Sequence, residues 1–454
     1  MSSDPEFIEI AGDELEGGGQ LTRISMCLSS LLNKPIHIVN IRGKRAKPGL
    51  QRQHLTGLTS VAALHRGYPQ CLTGASMGST EITFDPRKLT HSKLPFTVIE
   101  IGTAGSIGLI IQVILPCLLF YPYEDPSKRI PLNNDIKDIS SEFEIEIEKT
   151  AAAAAAQSSE IKKSEFLPTI SKECIERHVS NEREAKGFVD MKEVPCSPPS
   201  LMPLSVVNAQ HTMIMKGGTD VSWAPSTSYL ETVLSPLLSK HMNIKMRVET
   251  IRHGFYPKGN GEAKLTVTTL RKGETITPIT LTERGEVESI SIKAFISRVP
   301  KNIGDKLVRI TLEKLKEELI HLPLRVDVQV YDVTSTSFGS GVWLEITAKT
   351  NTGCKLWASS MGAFKKPSEE VAKEAVDVFV KDLNAGGCVD EFTQDQLLVF
   401  MALAKGKSVV RTGEISLHSR TAMEIIKKIA GVEFSVVNEG SSNVISCTGL
   451  GYCN

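Results

Sequence analysis

Apolar positions in the first 120 residues switch between two periods. Residues 7–10 and 35–41 alternate as strands do, and 81–84 and 96–101 read the same way. Between them, residues 20–32 and 49–65 carry apolar side chains at helical spacing, with Leu50, Leu55, Leu58, Val61 and Leu64 near one face. Residues 102–108 form a Gly/Ser turn that opens a helix over 109–120. The apolar run 107–120 is too short to span a bilayer comfortably and reads as a buried core helix. Strands alternating with helices predict an α/β layered fold.

The pattern stops at residue 124. As far as about residue 209 the chain carries Ser-rich and charged runs, six consecutive alanines at 151–156 and a Pro/Ser cluster at 195–203. The expectation is a mobile insertion, with room for one solvated helix over 145–163. Regular structure returns with a strand over 211–215, the turn at Gly217 and Gly218, and a helix over 227–240. Strands over 245–251 and 262–269 then flank a Gly-rich loop. Residues 284–385 read as strand, helix (306–319), strands (324–331 and 342–349) and a long helix (368–383), the pattern of a small α/β domain inserted into a larger one. The larger domain would comprise 1–123, 210–283 and 386–454, its last part holding helices at 394–403 and 419–429 and a strand pair at 433–437 and 443–446. Glycine turns between a strand and an apolar helix recur at 17–19, 102–105 and 217–218, which points to an internal repeat of a βα unit.

Charge narrows the choice of partners. Lys plus Arg is 52 and Asp plus Glu is 52, so any nucleic-acid binding must come from a local basic patch. The nine cysteines are scattered without a CxxC pair, which argues against a disulfide framework or a zinc ribbon and for a reducing compartment. The first residues are acidic and lack an apolar run, so they do not read as a signal peptide. The expectation is a soluble intracellular protein with no membrane segment.

Four stretches carry candidate chemistry. Glu16-Gly17-Gly18-Gly19-Gln20-Leu21-Thr22-Arg23 places backbone N–H groups and a guanidinium at a helix start, either to hold an anion or simply to make a tight turn. Residues 42–54 carry five basic side chains and no acidic one; they suit a polyphosphate or nucleic-acid backbone, or else form a solvated loop. Residues 253–261, with His253, Tyr256 and Lys258, either face a ligand or connect a hairpin. His418 stands just ahead of a helix, where Ser419 would serve as a cap.

Taken together these stretches resemble a known family. EGGGQLTR, RGKRAKPGLQRQHLTG, IGTAGSIGLIIQ, GGTDVSWAPS, HGFYPKGNG, DQLL and SLHSRTA occur in the order seen in RNA 3′-terminal phosphate cyclases. His418 stands where the cyclases carry a nucleophilic histidine that their cyclase-like relatives in ribosome assembly lack. Asn260 replaces a glycine of the family's loop, and residues 124–209 have no counterpart in compact members. The resemblance implies three repeated units, each a four-stranded sheet with two helices, plus the small inserted domain. It implies ATP as co-substrate, a divalent metal (Mg2+ or Mn2+), an RNA with a 3′-phosphate as partner with no DNA required, and a nuclear rather than cytoplasmic location. His418 would form a histidyl-AMP adduct, and Glu16 would hold the metal. Glu16, Gly18, Gly19, Gln20, Arg23, Arg42, Arg45, Gln53, His54, Gln112, Tyr256, Pro257, Asp395 and Gln396 would bind ATP or phosphate. Two alternatives remain: a non-catalytic or nucleolytic factor of ribosomal RNA processing, and an enolpyruvyl-transferase-like enzyme, whose family also repeats βα units.

Overall fold

A computed structural model describes residues 7–65, 68–88, 97–121, 210–319 and 325–453. One rule of strand order builds three of its four sheets. In the first unit, β1 (Ile8–Ala11), α1 (Gly19–Leu32), β2 (Ile36–Val39), α2 (Arg52–Ala63), β3 (Leu72–Thr73) and β4 (Ile82–Phe84) give the order β1-β2-β4-β3. The first strand is parallel to the second, the second antiparallel to the fourth, and the fourth antiparallel to the third. The second unit repeats this with β5 (Val98–Glu100), α3 (Ile107–Leu119), β6 (Gln210–Gly217), a helix α4, β7 (Met246–Arg252) and β8 (Gly261–Thr268). Helix α4 runs through Thr227–Tyr229, a π-turn at Leu230–Leu234, and Ser235–Met242.

The third unit opens with β9 (Thr280–Leu281) and is interrupted at once. The interruption comprises β10 (Val287–Ser297), α5 (Lys301–Glu318), β11 (Arg325–Asp332), β12 (Gly341–Thr350), β13 (Lys355–Met361) and α6 (Ser368–Asn384), with sheet order β11-β10-β12-β13. The unit resumes with α7 (Glu391–Leu403), β14 (Lys405–Thr412), α8 (Leu417–Ala430), β15 (Ser435–Glu439) and β16 (Ser442–Leu450). Here β9 is parallel to β14, β14 antiparallel to β16, and β16 antiparallel to β15, the same rule once more. This is the α/β fold of three repeated units that the sequence predicts.

Hydrophobic burial explains the assembly. Helix α3 packs against both α1 and α7, so the first helix of the second unit meets its counterparts from the other two. Met26, Leu28, Ile114, Leu118, Leu398 and Leu403 are essentially inaccessible in that common core. The interrupting elements bury a separate cluster that includes Ile292, Leu344, Ile346, Leu356 and Phe379. Among the described residues, no helix is long and apolar enough to cross a membrane. Among the described residues, the seven cysteines form no disulfide.

The structure corrects the sequence reading in two places. The turns at 17–19 and 102–105 are true equivalents, each between a first strand and a first helix, but Gly217 and Gly218 follow a second strand. Strands β3, β9, β13 and β14 escape the hydrophobic pattern. For β14 the cause is plain: its inward residues are Ser408, Val410 and Thr412, two of them polar, so no apolar alternation is visible. Asn260 adopts φ +56°, the left-handed conformation that asparagine tolerates best among non-glycine residues. The expected helix over 145–163 lies outside the described residues.

Ile346 tests the second core. Its replacement by alanine should lower stability by about 2–5 kcal/mol through lost contacts and a residual cavity. Urea unfolding followed by circular dichroism measures this, and an unchanged midpoint would show that β12 does not depend on that core.

Candidate active site

The turn ahead of α1 consists of glycine because of what stands in front of it. A Cβ on Gly19 would come 2.5 Å from His54 Nε2 and 2.7 Å from an Arg23 guanidinium nitrogen. A Cβ on Gly18 would overlap the Glu16 carboxylate. Gly18 is the N-cap of α1, with no side-chain cap and no acidic residue in the first turn, so the leading N–H groups remain free to meet an anion.

Around this turn the side chains hold one another in place. Arg23 donates from Nε to Gln112 Oε1 at 2.8 Å and from Nη2 to Gln20 Oε1 at 2.9 Å. Gln112, on α3, thus orients a guanidinium carried by α1. The backbone N–H of Gln51 donates to His54 Nδ1 at 3.1 Å, which leaves the ring proton of the neutral imidazole on Nε2, the nitrogen beside Gly19. Arg45 pairs with the Glu16 carboxylate and donates to the Glu16 carbonyl at 3.0 Å.

These groups are short of negative charge. Burial lowers the Arg23 pKa to about 10 against the pull of Asp395 and Glu16. Burial, then Arg23 and Arg42, push His54 down to about 3. Burial, then Arg45, also lower Arg42. Burial raises the Asp395 carboxyl to about 8 despite Arg23, so at neutral pH it contributes little negative charge. Gln20 Nε2 and Glu16 Oε2 are buried without a hydrogen-bond partner. The cluster is therefore a cationic, donor-rich pocket whose proton affinities and spare donors an incoming phosphate would satisfy.

The first turn of α8 docks on the same place. The Glu16 N–H donates to Thr421 Oγ1 at 3.3 Å, and Thr421 Oγ1 donates to the Leu417 carbonyl at 2.8 Å. His418 lies in that turn and is exposed. Ser416 caps α8 by accepting from the Ser419 N–H at 3.1 Å, the role that the sequence reading gave to Ser419 itself. Gln394 fixes the approach, accepting from the Ser416 N–H at 3.0 Å and donating to Thr412 Oγ1 at 2.6 Å and to the Glu414 carbonyl at 3.0 Å. Its neighbours Asp395 and Gln396 interact with each other, and Asp395 lies within electrostatic reach of Arg23.

A sequence model of RNA 3′-terminal phosphate cyclases matches residues 14–132 and 198–436. The chain belongs to the RNA 3′-terminal phosphate cyclase family. It is 31% identical to a probable RNA 3′-terminal phosphate cyclase of Dictyostelium discoideum, across 100% of this chain and 84% of that protein. It is 29% identical to the RNA 3′-terminal phosphate cyclase of Pyrobaculum aerophilum, over 98% of this chain and 99% of the relative. Identity to the Drosophila melanogaster RNA 3′-terminal phosphate cyclase is 28%, over 99% and 98%. The family model skips 133–197, within the stretch read from sequence as an insertion.

Within this cyclase-family fold, the structure gathers Glu16, Gly18, Gly19, Gln20, Arg23, Arg45, His54, Gln112 and Asp395 around one turn, with α8 against it. Four more of the expected residues sit in structural contacts, and Arg42 also acts on His54. Arg42 donates to the carbonyls of Lys47 and Gly49 and so braces its own loop. Gln53 accepts from the Ser106 N–H at 3.2 Å and ties α2 to the second unit. Tyr256 and Pro257 lie in the β7–β8 loop, which meets the turn after β5: a Cβ on Gly259 would come 2.7 Å from Ala104 Cα. Sequence reasoning overlooked Thr421 and Gln394. Thr421 lies three residues past His418 within SLHSRTA, and that spacing alone places it on the same helix face.

Two outcomes check this geometry. Gly19→Ala should weaken ATP binding at least about tenfold while the protein stays folded, because the methyl group displaces His54 and Arg23; calorimetric titration reads this, and unchanged affinity would place the nucleotide elsewhere. Asp395 gives a pH signature. Its folded pKa lies above the unfolded value, so between about pH 4 and pH 8 the folded chain keeps a proton that the unfolded chain has released, and stability falls as pH rises through that window. Asp395→Asn should flatten this part of the decline in urea midpoint. Equal slopes in both proteins would remove Asp395 from the account.

Proposed function

We propose that this chain converts an RNA 3′-terminal phosphate to a 2′,3′-cyclic phosphate using ATP. The observation that carries the reading is the charge-starved turn of Arg23, His54 and the uncapped α1, with the helix of His418 docked on it. A site that lowers the proton affinity of its own cations is arranged for a polyanion.

In this mechanism an imidazole nitrogen of His418 attacks the α-phosphorus of ATP and pyrophosphate leaves. The N–H groups of α1, the His54 Nε2–H, the Gln20 amide and Arg23 bind the phosphates as charge shifts among their oxygens. An oxygen of the RNA 3′-phosphate then attacks the bound AMP and frees His418. Finally the neighbouring 2′-OH attacks the activated phosphorus, AMP leaves and the hydroxyl proton is lost. Glu16 Oε2, buried and unpartnered, is the oxygen available to a divalent cation (Mg2+ or Mn2+). Among the described residues no group of three His, Cys, Asp or Glu side chains forms a metal site, so phosphate and water oxygens would supply the other ligands. When bound, the cation screens the triphosphate. The family match displaces the enolpyruvyl-transferase-like alternative. A nuclear location is part of the same proposal and is checked by imaging the tagged chain.

The test uses ATP labelled at the α-phosphate, followed by a denaturing gel. The wild-type chain should retain label, and His418→Ala should lose it while still binding ATP. Label on His418→Ala would mean a different nucleophile. A wild-type chain that binds RNA without ever taking label is instead a non-catalytic member of the family.

A further inference from the structure

Two loops from different sheets meet beside the candidate active site and leave aromatic rings exposed between cations. Residues 253–260 join β7 to β8, and residues 333–340 join β11 to β12. The His253 N–H donates to the Thr336 carbonyl at 3.0 Å, and His253 pairs with Ser337 in an isolated bridge. Phe338 is 55% exposed and Tyr256 is 62% exposed. The Arg252 guanidinium lies 4.8 Å from the centre of the Phe338 ring. Arg298 donates to the Ser337 carbonyl at 3.4 Å, and Lys258 Cβ stands 3.8 Å from where a Gly339 Cβ would be.

The patch has a rigid floor. Phe255 is buried and its ring is nearly parallel to that of His253, at 13° and 6.0 Å. Gly341 has no room for a side chain because Phe255 fills it. Two cations of the patch are left uncompensated, although Asp332 at the head of the second loop accepts from the Thr334 N–H and Asp220 bonds His253. Glu262 pairs with Arg252 at 3.1 Å, and no ion pair involves Lys258 or Arg298 among the described residues. The patch also runs on from the turn of α1. Gly259 of the first loop lies against Thr103 and Ala104, the next residue Gly105 abuts Gln53, and His54 abuts Gly19.

Exposed rings beside cations, two of which have no ion pair, are what unstacked bases on a phosphate backbone require. A ring face accepts any base, and each cation meets a phosphate. We propose that Phe338 and Tyr256, with Lys258, Arg298 and Arg252, form the track for the single-stranded RNA that precedes the 3′-terminal phosphate. The inference rests on the cyclase reading above and adds where the strand runs and why it must be unpaired there. A duplex hides its ring faces and cannot use the platform.

The experiment measures fluorescence anisotropy of a 5′-labelled twelve-nucleotide RNA with a 3′-phosphate, without ATP, as a single strand and as a blunt duplex. Phe338→Ala should weaken binding of the single strand about tenfold, within the range for loss of one stacked base, and change the duplex less than about twofold. Lys258→Ala should flatten the salt dependence of single-strand binding by about 0.7 of a unit. Both side chains are exposed, so the variants should keep the wild-type circular dichroism spectrum. Wild-type affinity in Phe338→Ala, equal loss for single strand and duplex, or a wild-type chain that ignores the single strand would each overturn the proposal; the first would leave a protein partner as the occupant. Adduct formation from labelled ATP alone is read on the same preparations. Its absence from the wild-type chain sinks the cyclase reading without touching the binding result.

Discussion

Crowding of hydrogen-bond donors around one glycine is the constraint on which the rest of the site depends. Gly19 lets His54 Nε2 and Arg23 stand where a side chain would otherwise be. Every other feature of the pocket follows from holding those two groups there. Gln112 and Gln20 grip the guanidinium, Gln51 fixes the imidazole tautomer, and Arg45 covers the Glu16 carboxylate. The opposing carboxyl, Asp395, is pushed by burial toward its neutral form and cannot cancel the charge. A folded protein keeps such an arrangement only if surrounding packing overdetermines it. That packing is the shared core in which α3 touches both α1 and α7.

The three units follow one topology yet contribute different things. The first supplies the glycine turn with Glu16, Arg23 and His54, and the second supplies Gln112. The third supplies Asp395 from α7 and His418 from α8. The repeat packs α3 against both α1 and α7, and divergence of side chains then makes the shared site asymmetric.

Much of this was legible in the chain itself. The glycine turn, the basic run and the late histidine are contiguous motifs, and the α/β layering follows from the switch between periods 2 and 3.6. What escaped has physical causes. Strand β14, which leads to His418, buries Ser408 and Thr412 and so shows no apolar alternation. A sequence also cannot show that the Arg42 guanidinium, which acts on His54, donates to the carbonyls of Lys47 and Gly49 as well. Thr421 and Gln394 act through single hydrogen bonds to partners distant in sequence, which no local pattern records. Phe338 lies in the interrupting segment, away from every motif, and its meaning emerges only when that loop meets the one after β7.

The bond between the Glu16 N–H and Thr421 Oγ1 joins residues 405 positions apart. During synthesis the glycine turn leaves the ribosome long before the helix that completes its pocket. At about 5–20 residues per second, that delay is on the order of 20–80 seconds. Strand β9 waits in the same way, since its partner β14 arrives only after the whole interrupting sheet has been made. A nascent chain thus holds the glycine turn before the helix that docks on it has been made. Closure of the third sheet around a long loop is the slow, non-local step. The contact between the glycine turn and α8 therefore forms late in synthesis.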